Sequence, residues 1–64
     1  MELNKKQKKI LELLEKRGEI VTTEMAFLIV ANLYQTKFYL EELEKAGKII
    51  SRKKGKYRYW RLKE

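Results

Sequence analysis

Residues 32–47 read NLYQTKFYLEELEKAG, and the spacing inside this stretch decides what the rest of the chain must do. Thr36, Leu40 and Leu43 recur at three- and four-residue intervals with Tyr39 beside them, so they form one apolar stripe along a helix. Asn32 carries the side-chain oxygen with which an N-cap accepts a free first-turn amide, and Gly47 can take the left-handed conformation in which helices end. The stretch therefore predicts a helix over 33–46 with both ends marked and one side turned to a core. Away from that stripe the helix changes character along its length. The first two turns carry Tyr34, Gln35, Lys37 and Phe38, and the last two carry Glu41, Glu42, Glu44 and Lys45.

Upstream, a second helix is expected over about 23–30, with Thr22 as its N-cap and Met25, Ala26 and Ile29 turned inward. Glu24 falls in its first turn, where the helix dipole favours a negative charge. Phe27 and Leu28 are apolar too, which leaves MAFLIVA without a polar face. A helix apolar all round needs a second surface, so Phe27 and Leu28 read as a patch for self-association or another partner. The alternative is that helix phase or the terminal strand covers them. Farther back, KKQKKILELLEKR predicts a first helix over 4–17, with Leu3, Gln7, Ile10, Leu11 and Leu14 inward and Gly18 stopping it. Glu19-Ile20-Val21 is too short for an independent strand and can serve as a third edge for strands formed elsewhere.

Downstream, 48–52 and 57–62 read as strands around Lys53-Lys54-Gly55-Lys56, a Gly-containing turn of hairpin length. Alternation puts Arg58, Trp60 and Leu62 on one face, expected to pack on the helices opposite Ile49 or Ile50, and Tyr57, Tyr59 and Arg61 on the other. The predicted fold is α+β, mainly α: three helices, a short strand and a C-terminal hairpin in a single domain over 1–64.

Composition narrows the function. Nine acids, all Glu, with no His, Cys or Asp, leave no thiol chemistry, few metal ligands and only Glu or Lys as a general base. No enzyme, metal or cofactor is expected, and no small-molecule site is evident. No apolar run approaches the roughly 18 residues of a membrane span and no signal core opens the chain, so a cytoplasmic protein is expected. Net charge is +7, distributed as +3 over residues 1–17, −3 over 18–47 and +7 over 48–64. A basic first helix and a basic hairpin around an acidic middle point to a polyanion partner; plain solubility or a Lys/Glu-rich thermophile surface are the alternatives.

The order helix, short strand, helix, turn, helix, basic hairpin resembles the winged helix-turn-helix family. TTEMA at the second helix, Thr36, Leu40 and Leu43 running into LEKAGKI, Gly55 at the wing tip and YWRL at the close are similar to small archaeal and bacterial regulators. The resemblance implies a repressor-like transcriptional regulator of double-stranded DNA, with the recognition helix over 33–46 in the major groove and the wing over 52–58 on phosphates or the minor groove. Gln35 is the base reader by type, since its amide can pair bidentately with adenine, and Lys37 serves guanine or phosphate. Tyr34 and Phe38 either contact thymine methyls or a phosphate, or pack against the second helix or a sister subunit. Arg52, Lys53, Lys54, Lys56 and Arg58 are the wing's phosphate contacts, with Lys5 to Lys9 able to add to them.

One copy covers one half-site, so a homodimer is expected. By the same resemblance such compact regulators are common in archaea and their viruses or plasmids, which makes host cytoplasm the place if the source is viral. Two features depart from the family pattern, and a third from one subset of it. Val30 stands where a turn glycine is frequent, Tyr34 and Phe38 stand where polar or basic side chains are implied, and Lys37 and Glu41 replace the Asn and Tyr of a left-handed-DNA-binding subset, which is set aside. Two other classes stay open: a protein-interaction adaptor using Phe27, Leu28, Tyr34 and Phe38 without DNA, and an RNA binder stacking bases on Tyr57, Tyr59 and Trp60.

Overall fold

Asn4 and Gln7 start the first helix together. The Asn4 side chain accepts the Gln7 amide at 2.8 Å while Gln7 Oε1 accepts the Asn4 amide at 3.2 Å, so two end donors are satisfied reciprocally. The computed structural model describes residues 2–64. In chain order they form α1 (Lys5–Arg17), β1 (Glu19–Val21), α2 (Thr22–Leu28), α3 (Leu33–Lys45), β2 (Ile49–Lys54) and β3 (Tyr57–Leu62). Gln7 is itself buried, and its Nε2 donates to Glu42 of α3 at 2.9 Å, so one side chain closes a cap and ties two helices.

In α3 both end signals act as the sequence predicts. Asn32 Oδ1 accepts the Gln35 amide at 2.7 Å, and Thr36 is fully buried because its hydroxyl donates back to the Asn32 carbonyl at 2.8 Å. Gly47 sits at φ 76°, which lets the Lys48 amide reach the Leu43 carbonyl at 3.0 Å in a left-handed helix stop. Thr36, Leu40 and Leu43 close on Ile10 and Leu14 of α1, Met25 and Ile29 from α2 and its end, and Ile20, Ile49 and Trp60 of the sheet.

The second helix departs from expectation at both ends. Thr22 is its first residue rather than its cap; Val21 takes that place with no side-chain bond. The Thr22 hydroxyl instead accepts the buried Trp60 indole N–H at 2.7 Å and donates to the Arg58 carbonyl at 3.3 Å. An unpaired buried donor costs about 1–3 kcal/mol, at least as much as the ~1 kcal/mol of a missing cap, so the indole has the stronger claim on the oxygen. Among the described residues, no buried side-chain N or O is left without a partner.

At its other end α2 stops at Leu28, two residues early, and Val30 adopts φ 55°. This is the position where the resemblance implies a frequent glycine: the backbone takes glycine's conformation and the side chain is valine. Left-handed backbone costs an L-residue roughly 1–2 kcal/mol and is least tolerable for a β-branched one. Val30→Gly should therefore raise stability by a net ~1 kcal/mol, after the added freedom of the unfolded glycine is subtracted. Thermal melts followed by circular dichroism check this, and a lower midpoint for the variant would contradict it.

The three strands form one antiparallel sheet in the order β1-β3-β2, so the last strand in the chain is the middle one. Ile20 and Ser51 pair with Trp60 from either side, and Ile49 pairs with Leu62. β2 runs on to Lys54, which shortens the turn to Gly55-Lys56, with Gly55 at φ 62° as a tight two-residue hairpin loop needs. Lys53 and Lys54 are thus strand residues pointing to opposite faces, not members of one loop.

Candidate nucleic-acid interface

Leu33, Lys37 and Glu41 follow one another at single helical turns along the side of α3 that looks toward the hairpin. With Thr23 of α2 and with Lys53, Lys56 and Arg58 they bound a groove of about 390 Å³. The front half of the helix and the cationic hairpin tip therefore share one side of the molecule. The pleat explains which wing charges arrive there. Lys53 and Arg58 are direct cross-strand partners, in phase with inward-facing Trp60, so they stand on the helix side of the sheet. Arg58 also donates to Ser51 Oγ at 3.1 Å, and Ser51 donates to Glu44 of α3 at 2.8 Å, which braces the wing against the helix.

Arg52 and Lys54 are one residue out of phase, so of the five wing residues expected on phosphates the pleat turns these two to the outer face. Arg52 lies across the outer face with its guanidinium 5.5 Å from the Tyr59 ring centre and donates to both Glu19 oxygens at 3.0 and 3.1 Å. Its donated bonds hold the Glu19 carboxyl below the usual range. A lowered carboxyl contributes stability above its unfolded pKa and loses it as pH falls through the folded value, so this pair acts on the acid limb and supplies nothing to the groove.

The candidate readers of α3 divide between two flanks. Lys37 faces the groove, whereas Gln35 borders a shallow hollow with Tyr34, Phe38 and Tyr39 on another flank. Tyr34 is 76% exposed and Phe38 56%, so neither is packed away beneath α2. Phe27 is 82% exposed, one turn along α2 from groove-lining Thr23. Leu28 is partly buried against the core, which removes it from the exposed patch that the sequence assigned to the pair. Glu42 and Glu44 are engaged by Gln7 and Ser51, leaving Glu41 as the acid of the groove.

Lys6 has a role that nothing local in the sequence announces. Its Nζ donates to the carbonyls of Ile29 at 2.6 Å and Val30 at 3.0 Å, so a member of the basic N-terminal cluster caps the end of α2 and clamps the left-handed turn. Lys6→Met keeps the stem and removes the charge. It should cost about 1–2 kcal/mol in a denaturant titration, whereas Lys5→Met and Lys8→Met should be close to neutral.

Three helices, a third strand closing on a C-terminal hairpin and a cationic groove between α3 and that hairpin define a winged helix-turn-helix domain. The chain matches the FaeA-like protein family over residues 6–64 and belongs to it. A possible transcriptional regulatory protein of Mycobacterium bovis (fragment 1–100) is 29% identical with a TM-score of 0.87, over 92% of this chain and 62% of that one. The solution structure of a homodimeric winged helix-turn-helix DNA-binding domain from the same organism, a possible ArsR-family transcriptional regulator, is 29% identical with a TM-score of 0.85, over 92% and 54%. The chain thus spans less than two thirds of these neighbours. The Zalpha domain of Carassius auratus PKZ, solved with Z-DNA, shares the fold at 19% identity and a TM-score of 0.84, over 91% and 92% of the two chains. No curated protein sequence matches.

Proposed function

We propose that this chain is a repressor-like transcriptional regulator that binds double-stranded DNA in the cytoplasm, with the front of α3 in the major groove and the wing tip on phosphates. The groove carries the reading: Lys37, Lys53, Lys56 and Arg58 converge there against a single acid, Glu41. Phosphates bridging helix and wing would engage all four, while Arg52 stays on Glu19. The neighbours described as regulators and DNA-binding domains support the same reading.

Each phosphate neutralised releases condensed counterion, so four contacts give a log–log salt slope of about −3 to −4. Anisotropy titrations of a labelled random duplex across a salt series test this. Affinity indifferent to salt would turn the assignment toward the adaptor reading. A homodimer, supported by the homodimeric Mycobacterium domain, would span two half-sites about one helical turn apart, and sedimentation equilibrium with and without a duplex shows whether two copies assemble.

A further inference from the structure

Resting on that reading and adding what the site selects, we infer that Phe27, Val30, Tyr34 and Phe38 form an apolar ridge that reads the 5-methyl groups of thymine in the major groove. Val30 is the observation that points there. Its backbone is strained at φ 55°, and its side chain is 82% exposed, so the protein's own core returns nothing for the strain. Glycine would relieve it. What valine adds is apolar surface held out in solvent, beside Phe27 at 82% exposure, whose carbonyl accepts the Val30 amide at 3.3 Å.

The ridge starts beside the cationic groove on α2 and continues on the adjoining flank of α3. On α2, Phe27 follows groove-lining Thr23 by one turn; on α3, Tyr34 and Phe38, one turn apart, line the hollow on the flank next to the one that carries Lys37. A second copy seated here in a two-fold contact would bring Lys37 toward its own counterpart, like charge to like. A duplex instead delivers phosphates to the cations and, inside the major groove, one apolar group, the thymine methyl.

The test compares an alternating dA–dT duplex with the matching dA–dU duplex, which differs only in the absence of that methyl. The parent should bind the dA–dU duplex more weakly, by roughly fourfold for each methyl it buries. Val30→Gly should melt at a higher temperature than the parent and yet discriminate less between the two duplexes. Gain of stability with loss of selectivity is a signature that a merely structural residue would not give. Phe38→Ala should lose selectivity as well.

Equal parental affinity for the two duplexes, with salt dependence intact, overturns the ridge and leaves duplex binding standing. Absence of salt-dependent binding to either duplex overturns both. A parent dimer dissociated by Val30→Gly, with no methyl preference, would assign the ridge to a second copy.

Discussion

Trp60→Ala should leave the chain without a cooperative thermal transition. Removing a buried indole costs about 3–5 kcal/mol in lost contacts and residual cavity. A 64-residue domain has only roughly 3–10 kcal/mol in total, because it buries about 60% of the surface its unfolded chain exposes. Trp60 is also a poor place to lose contacts. It is 2% exposed, sits in the middle strand and pairs with Ile20 on one side and Ser51 on the other, so a collapse around the hole would drag both edges. Trp60→Phe keeps a six-membered aromatic ring in the core, loses the pyrrole part with its N–H to Thr22, and leaves Thr22 donating to Arg58. That variant should melt cooperatively, at a cost of about 1–2 kcal/mol. A Trp60→Ala protein melting within a few degrees of the parent would show that the core is organised around something else.

The second large effect concerns binding. Changing Lys37, Lys53 and Lys56 together to Ala should flatten the salt slope by about 2.7, from roughly 0.9 for each lost phosphate contact. It should also weaken binding to random duplex at low salt on the order of a hundredfold, if each exposed pair contributes about 1 kcal/mol. The informative control is Arg52→Ala with Lys54→Ala, which also strips charge from the wing but from the other side of the sheet. If geometry decides, that double variant should change the slope by much less than the triple. Equal flattening per charge removed would mean that the domain attracts DNA through net charge alone and that the groove has no special part.

Period and punctuation carried the architecture. The stripe of Thr36, Leu40 and Leu43 and the caps Asn32 and Gly47 are local signals, each complete within a few residues, and they mark α3 to within a residue. The β1 triplet was legible as an edge because a β-branched fragment that short has no other stable place. What remained hidden depends on residues far apart in sequence. Thr22 is a plausible helix cap until the indole of Trp60 arrives, and Lys6 is an ordinary surface lysine until α2 ends beside it.

The site divides in the same way. That a basic hairpin would lie beside the front of α3 followed from element order and its resemblance, but which wing charges face the helix depended on where the turn fell. Reading the turn as four residues made Lys53, Lys54 and Lys56 look like one cluster. A two-residue turn keeps the pleat running to Lys54 and sends alternate side chains to opposite faces. Val30 was visible as a departure, though its outward direction could not be read from position alone.

The strand that unites the sheet is the last of the six elements to be synthesised. Until Tyr57–Leu62 has been synthesised, β1 and β2 have nothing to pair with, and Ile20, Ile49 and the inner sides of the helices lack their cover. A nascent chain of this kind can hold helical turns but cannot lock its tertiary structure before that strand has emerged. Sheet closure must then join β1 to a distant partner, a slow, non-local step. In that interval β1 presents an open template that the β3 of a neighbouring polypeptide could fill, making strand exchange between crowded copies the characteristic hazard of this topology.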